Sequence, residues 1–155
     1  MSIELRLATQ NDIIRLQELF LAAVNVTAKA DYTEVQLATW SESTKNEKRW
    51  IDLVKDQFVV LAENSESLTG FGSLRDGDYV DFLYVHPDHL RMGIASLIYN
   101  TLKKEAQGRG TKSVSSDVSK TARPFFESKG FKVEKENRNV IRGVELINYR
   151  MTASL

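Results

Sequence analysis

The spacing of apolar positions changes period along this chain, and each change marks an element. Ile3 to Ala8 alternates apolar and polar residues, the period-two pattern of a strand. Thr9, with Asp12 three residues on, reads as a helix start, and Ile13, Ile14, Leu16, Leu19, Phe20 and Val24 recur behind it at helical spacing. The pattern is least decided from Ala28 to Trp50. There Thr33 is placed to cap a short helix carrying Val35, Leu37 and Trp40, and a further short helix carries Trp50, Ile51 and Val54. Phe58–Glu63 and Leu68–Arg75 read as strands joined by the turn Asn64–Ser67. Asp76-Gly77-Asp78 is a hairpin turn into Tyr79–Val85, a β-branched and aromatic strand that Pro87, lacking an N–H, brings to an end. Leu97, Ile98, Thr101, Leu102 and Ala106 return to helical spacing, and Gly108 and Gly110 close that helix. A strand at Ser113–Val118, a helix at Ser119–Lys129 closed by Gly130, a strand at Phe131–Val133 and, after the turn Arg142-Gly143, a last strand at Val144–Met151 complete the chain.

This order predicts one α/β (α+β mixed) domain over residues 1–155: a mostly antiparallel central sheet with helices on both faces. The hairpins argue against a doubly wound dinucleotide fold. Formal net charge is +0, with 21 basic and 21 acidic residues, so nothing points to a nucleic-acid partner. No run is long and apolar enough for a membrane span, and charges at Glu4 and Arg6 interrupt the N-terminus as a signal peptide. With no cysteine there is no disulfide frame, zinc-thiolate site or Cys nucleophile, and a cytoplasmic location is the natural expectation.

The informative stretch lies between Tyr79 and Ala106. After the strand comes Leu90-Arg91-Met92-Gly93-Ile94-Ala95, in which Gly93 lets backbone approach a ligand and Ala95 keeps the next position small. The helix that follows leaves its first N–H groups without intrahelical partners. With the positive end of the dipole they make an anion site suited to phosphate. This stretch resembles motif A of the GCN5-related N-acetyltransferases (GNAT), Gln/Arg-x-x-Gly-x-Gly/Ala after a strand reading Leu-Tyr-Val. Here the strand is Leu83-Tyr84-Val85 and the loop matches at Gly93 and Ala95; Leu90 departs from it. The tail segment Ser119-x-x-Ala122-Arg123-Pro124-Phe125-Phe126-Glu127-x-x-Gly130-Phe131 is similar to a further segment of the family, and Asp31-Tyr32-Thr33 with Gln36 and Trp40 looks like a small-molecule branch.

The resemblance implies direct acetyl transfer from acetyl-CoA to a primary amine of a small molecule or peptide. The amides of Arg91, Met92, Gly93, Ile94, Ala95 and Ser96 would hold the diphosphate, Leu83, Tyr84 and Val85 would pair with the amide-rich pantetheine arm, and Ser119 and Phe126 would complete the cofactor site. Arg91, Lys103, Lys104, Arg109, Lys112, Lys120 and Arg123 form a locally basic patch expected around the adenosine end. Asp81 is the candidate base, and alternation puts it on one strand face with Leu83 and Val85, opposite Phe82 and Tyr84. Where the family usually carries a Tyr to protonate the leaving thiolate, this chain has Phe126. Another hydroxyl, with Tyr84, Tyr32 and Tyr99 available, or water then protonates the thiolate, or it leaves without help. Tyr32 and Trp40 are the candidate acceptor-pocket residues, within an acceptor region expected at Ala28–Lys55.

Several of these residues also have plainer readings. Trp40 and Trp50 suit a core, Gly70 and Gly72 suit a close strand approach, and His86 with His89 lacks a third metal ligand nearby, so no metal is expected. Leu90 and Phe126 also fit an acyl-CoA-binding regulator without catalysis. A homodimer is a fair expectation from the family.

Overall fold

The computed structural model describes residues 2–155. In chain order the elements are β1 (Glu4–Leu7), α1 (Ile13–Val26), α2 (Glu34–Ser41), α3 (Glu47–Asp56), β2 (Phe58–Glu63), β3 (Leu68–Arg75), β4 (Tyr79–Val85), α4 (Ile94–Gly108), β5 (Ser113–Ser119), α5 (Arg123–Ser128), β6 (Lys132–Ile141) and β7 (Val144–Ser154). The strands form one seven-stranded sheet in the order β1-β2-β3-β4-β5-β7-β6. Every neighbouring pair is antiparallel except β4 and β5, which α4 connects as a crossover.

Helices cover both faces. On one, Leu16 and Phe20 of α1, Leu37 of α2 and Trp50 and Leu53 of α3 pack on Leu61, Phe71 and Phe82. On the other, Ile98 and Leu102 of α4 and Phe126 of α5 pack on Val60, Leu74, Val80 and Met151. Strands covered on both sides read as continuous apolar runs, as β2 does in Val59-Val60-Leu61-Ala62. The chemistry of the turns follows the sequence. Asp76 and Gly77 have φ of 55° and 77°, and Arg142 and Gly143 have φ of 48° and 78°, the paired left-handed residues of a two-residue hairpin turn. Thr33 caps α2, accepting from Gln36 N at 3.2 Å while Gln36 Oε1 accepts from Thr33 N at 2.9 Å.

Four expectations shift. Ile14, Val35 and Ile51 are exposed; of the expected stripes Leu16, Leu19, Phe20, Val24, Leu37 and Trp50 are buried, and Leu53 joins them on α3. Leu97 is exposed as well; the buried stripe of α4 is Ile94, Ile98, Tyr99, Leu102 and Ala106. α5 is shorter than Ser119–Lys129, because the backbone at Ser119–Ala122 first makes a turn in which Ser119 Oγ accepts from Ala122 N at 3.1 Å. β6 is much longer than Phe131–Val133. Its charged, Asn-containing sequence has little strand propensity, and ladder pairing with β7 overrides it.

Gly70 and Gly72 set how closely α4 seats on β3. A Cβ at Gly70 would lie 2.9 Å from Ile98 Cδ1, and one at Gly72 would lie 2.6 Å from Ile98 Cγ2. Absence of side chains here brings the helix against the strand backbone, and the N-terminus of α4 is positioned by that contact. Gly72→Val is therefore expected to lower folding stability by about 1–3 kcal/mol, the usual cost of overpacking, as read by denaturant unfolding.

Candidate active site

The parallel pair β4–β5 is hydrogen-bonded at one register position, Tyr79↔Ser115, supported by Ser115 N donating to Asp78 O at 3.0 Å and Ser116 Oγ donating to Val80 O at 2.7 Å. Beyond that point the strands part. His86 N donates to Thr69 O at 2.8 Å on the β3 side. By antiparallel alternation, Leu83 and Val85 then direct their N–H and C=O groups toward the opening. The edge expected for pantetheine is unsealed.

The parting coincides with a β-bulge. The register runs Ser73↔Phe82 and then Leu74↔Val80, leaving Asp81 as the extra residue. The expected alternation fails there. Val80, not Asp81, shares a face with Leu83 and Val85, and Asp81 turns toward α3. Its carboxylate accepts from Arg49 Nη1 and Nη2 at 2.9 and 3.1 Å and from Gln57 Nε2 at 2.7 Å. Burial pushes the Asp81 carboxyl up, but these hydrogen bonds outweigh it and hold the pKa below the usual carboxylate value. Arg49 also lies over the Phe82 ring at 4.7 Å.

Two cavities meet at the opening. One, of about 450 Å³, runs from the strand edge to the start of α4. Leu83, Tyr84, Val85, Arg91, Gly93, Ile94, Ala95, Ser96, Ser119 and Phe126 all line it, and so does Leu90. Met92 does not; its side chain is exposed. Gly93 is the N-cap of α4 with φ 79° and no side-chain cap, and the first loop-to-helix bond is Leu97 N donating to Gly93 O at 3.0 Å. The amides of Ile94, Ala95 and Ser96 therefore have no intrahelical acceptor. A Cβ at Gly93 would meet nothing, so glycine is needed there for its left-handed backbone rather than for space. Two orphans point the same way: Thr27 Oγ1 and His89 Nδ1 are buried without a hydrogen-bond partner, and both residues line this cavity.

The other cavity, of about 680 Å³, opens between β4 and the β6–β7 hairpin. It shares Trp40, Leu83, Tyr84, Ser119, Ala122 and Phe126 with the first. Its far wall carries Asp117, Asn137, Asn139, Asn148 and Arg150 beside the apolar Val140, Ile141 and Leu146. None of these was expected to matter: they sit 20 residues or more beyond the recognisable loop, and Asn137 and Asn139 lie in the part of β6 that only pairing with β7 reveals. The acceptor region expected at Ala28–Lys55 contributes Trp40 alone to this cavity. Tyr32 is buried and lines neither cavity; its hydroxyl donates to Ile147 O at 2.8 Å and accepts from Lys120 N at 3.0 Å. It pins β7 to β5.

The basic patch dissolves along α4. Fifteen helical residues span about 22 Å, so Arg109 and Lys112 lie at the end of α4 opposite the loop. Arg109 is paired with Glu105 at 2.7 Å and Arg123 with Glu127 at 3.4 Å. Among the described residues, no group of three or more His, Cys, Asp or Glu side chains could hold a metal ion, and no helix is long and apolar enough to cross a membrane.

The candidate site thus lies where a mixed sheet splays at a parallel pair, with the N-terminus of α4 at the mouth of the gap. Residues 28–153 match the family model "Acetyltransferase (GNAT) domain". The chain is 34% identical over 151 residues to "Uncharacterized N-acetyltransferase YafP" of Escherichia coli strain K12, spanning 97% of this chain and 95% of that protein. A GCN5-related N-acetyltransferase from Rhodopseudomonas palustris superposes with a TM-score of 0.94 at 29% identity, covering 100% of this chain and 97% of that one. The fold is shared with PaiA N-acetyltransferase of Thermoplasma acidophilum in complex with coenzyme A (TM-score 0.82, 19% identity, 100% of each chain). It is shared too with YncA of Salmonella typhimurium with acetyl-CoA (TM-score 0.66, 23% identity, 100% of this chain and 95% of that one). The chain belongs to the GNAT family and is an N-acetyltransferase.

Removing Arg49 leaves Asp81 buried with a charge that only Gln57 meets. Arg49→Ala is expected to cost about 2 kcal/mol at pH 7, less than a fully buried pair because Arg49 is partly exposed. The Asp81 pKa is lowered by folding, so its contribution is complete above about pH 4 and fades as pH falls through the folded value. The wild-type advantage over Arg49→Ala in urea titrations should shrink in that acid range.

Proposed function

We propose that this enzyme takes its acetyl group from acetyl-CoA and moves it directly to a primary amine of a small molecule or peptide. The observation that carries this reading is the free Leu83–Val85 edge between an apolar cavity and a polar one. The residues present fit the cosubstrate. Free amides at the start of α4 suit a diphosphate, the strand edge suits the pantetheine amides, and the orphaned Thr27 Oγ1 and His89 Nδ1 gain a partner when a polar arm enters. Leu90 leaves this cradle intact, since the donors are backbone groups.

The thioester supplies an activated acyl carbon. The amine lone pair forms the new C–N bond, the C–S bond breaks with its electron pair on sulfur, and the amine proton is lost. The N–H of Val85, on the open edge, is the donor we assign to the carbonyl oxygen as negative charge develops there. Of Tyr32, Tyr84 and Tyr99, only Tyr84 lines the junction of the two cavities. Its ring packs on Phe20 at 5.0 Å, and burial pushes its hydroxyl pKa well up, so it stays a neutral donor. We assign it the hydrogen bond to the departing sulfur that Phe126 cannot make. With its oxygens engaged by Arg49 and Gln57, Asp81 serves in this reading as an anchor of the bulge, and the amine proton leaves to water through the open polar cavity.

Ala95→Glu places a carboxylate where phosphate binds while an acid at a helix start favours the helix. It is expected to weaken acetyl-CoA binding by at least tenfold in calorimetry without lowering the thermal midpoint. Tyr84→Phe is expected to lower kcat about tenfold, the worth of one hydrogen bond, with KM for acetyl-CoA retained. In thiol-release assays log(kcat/KM) should rise with pH toward the pKa of the acceptor amine used, and Asp81→Asn should keep that shape. A new acidic limb lost in Asp81→Asn would restore Asp81 as base, and acetyl-CoA binding with no thiol release on any amine would identify an acyl-CoA-binding regulator.

A further inference from the structure

We infer that the acceptor is a small amine whose body carries uncharged hydroxyl or amide groups, not further charges and not a bare hydrocarbon chain. This rests on the acetyl-transfer reading above and concerns the far wall of the same site. Asp81, Asp117 and Arg150 are the charged residues of that cavity, and each is already paired. Asp117 accepts from Arg150 Nε at 2.9 Å and Nη2 at 3.0 Å, from Tyr79 Oη at 2.7 Å and from Asn137 Nδ2 at 2.9 Å. Asp81 is held by Arg49 in the same two-pronged way. A second ammonium on the acceptor would find no unpaired carboxylate, and a carboxylate would have to take Arg150 from Asp117.

What the wall does offer is amide groups. Asn148 faces Asn137 across the β6–β7 ladder, and Asn148 Oδ1 accepts from Asn137 Nδ2 at 2.9 Å and Asn139 Nδ2 at 3.2 Å. These bonds fix the three amides as a set. Asn137 Oδ1, Asn139 Oδ1 and Asn148 Nδ2 then make no hydrogen bond among the described residues, leaving acceptors and a donor for the cavity. The hairpin is tied down from outside, by Tyr32 Oη donating to Ile147 O at 2.8 Å and Gln36 Nε2 donating to Glu145 O at 2.8 Å. A wall held in place this way does not turn its amides away when the ligand lacks matching groups. Alkyl chains would bury those amides unpaired, whereas hydroxyl or amide groups would satisfy them.

The test is a thiol-release panel of glucosamine, serinamide, hexylamine, spermidine and glutamate, run on the full chain alongside acetyl-CoA calorimetry. With kcat/KM referred to the unprotonated amine, so that differences in amine pKa drop out, glucosamine or serinamide is expected to exceed the other amines by at least tenfold. Asn148→Leu and Asn139→Leu are each expected to reduce that preference about tenfold while acetyl-CoA affinity and the thermal midpoint hold; Asn139 is exposed, so its variant reports even if the other fails to fold. Turnover led by hexylamine, spermidine or glutamate, or a preference unmoved by both variants, overturns the inference and leaves acetyl transfer standing. Loss of acetyl-CoA binding, or no turnover on any amine, removes the transfer reading and this inference with it.

Discussion

An unpaired strand edge inside a protein is costly unless a ligand or water completes it, because each N–H and C=O needs a partner. This chain keeps such an edge where β4 and β5, hydrogen-bonded at Tyr79↔Ser115, separate past that pair. Both cavities beside β4 are placed by the separation. It exposes the Leu83 and Val85 backbone, creates the apolar cavity toward α4 and the polar one toward β6–β7, and makes Tyr84 a shared wall between them. Closing the gap with one more ladder would satisfy the backbone and abolish the site.

The bulge at Asp81 and the parting of the strands occur together, and the local chemistry supports both. An extra residue sharpens strand twist and re-aims one side chain. Here the re-aimed side chain is a carboxylate, and α3 supplies Arg49 and Gln57 to meet it. Trp50 of α3 packs on Phe82 of β4 with ring centroids 5.2 Å apart, which seats the helix that supplies Arg49 directly beside the bulge. The Asp81–Arg49 ion pair ties the bulge of β4 to α3.

On the opposite face, glycine does the equivalent work. Gly70 and Gly72 let Ile94 and Ile98 approach the backbone of β3, and the start of α4 arrives beside the open edge of β4. Phosphate-ready amides and a free strand edge are useful to one ligand only when they are adjacent. That adjacency comes from van der Waals contact between a helix and a side-chain-free stretch of strand, not from any charged group.

Local chemistry was legible in the amino-acid order. The strands Phe58–Glu63, Leu68–Arg75 and Tyr79–Val85, the hairpin turns at Asp76-Gly77 and Arg142-Gly143, the Thr33 cap and the loop around Gly93 each follow from the preferences of a few neighbouring residues. The resemblance to the GNAT family rested on the same short stretches, so the residues it singled out around Leu83–Val85 and Gly93–Ser96 line one cavity, while Met92, whose side chain turns away, was not separable from its neighbours. Tertiary structure alone decided the rest. The Asp81 bulge depends on β3 register, the length of β6 depends on β7, Tyr32 became a strut because Ile147 and Lys120 fold against it, and the asparagine wall exists only once β6 and β7 pair. Periodicity records what a residue prefers among its chain neighbours; it carries no record of which distant strand will complete its hydrogen bonds, and on this protein that pairing shapes the cavity between β4 and the β6–β7 hairpin.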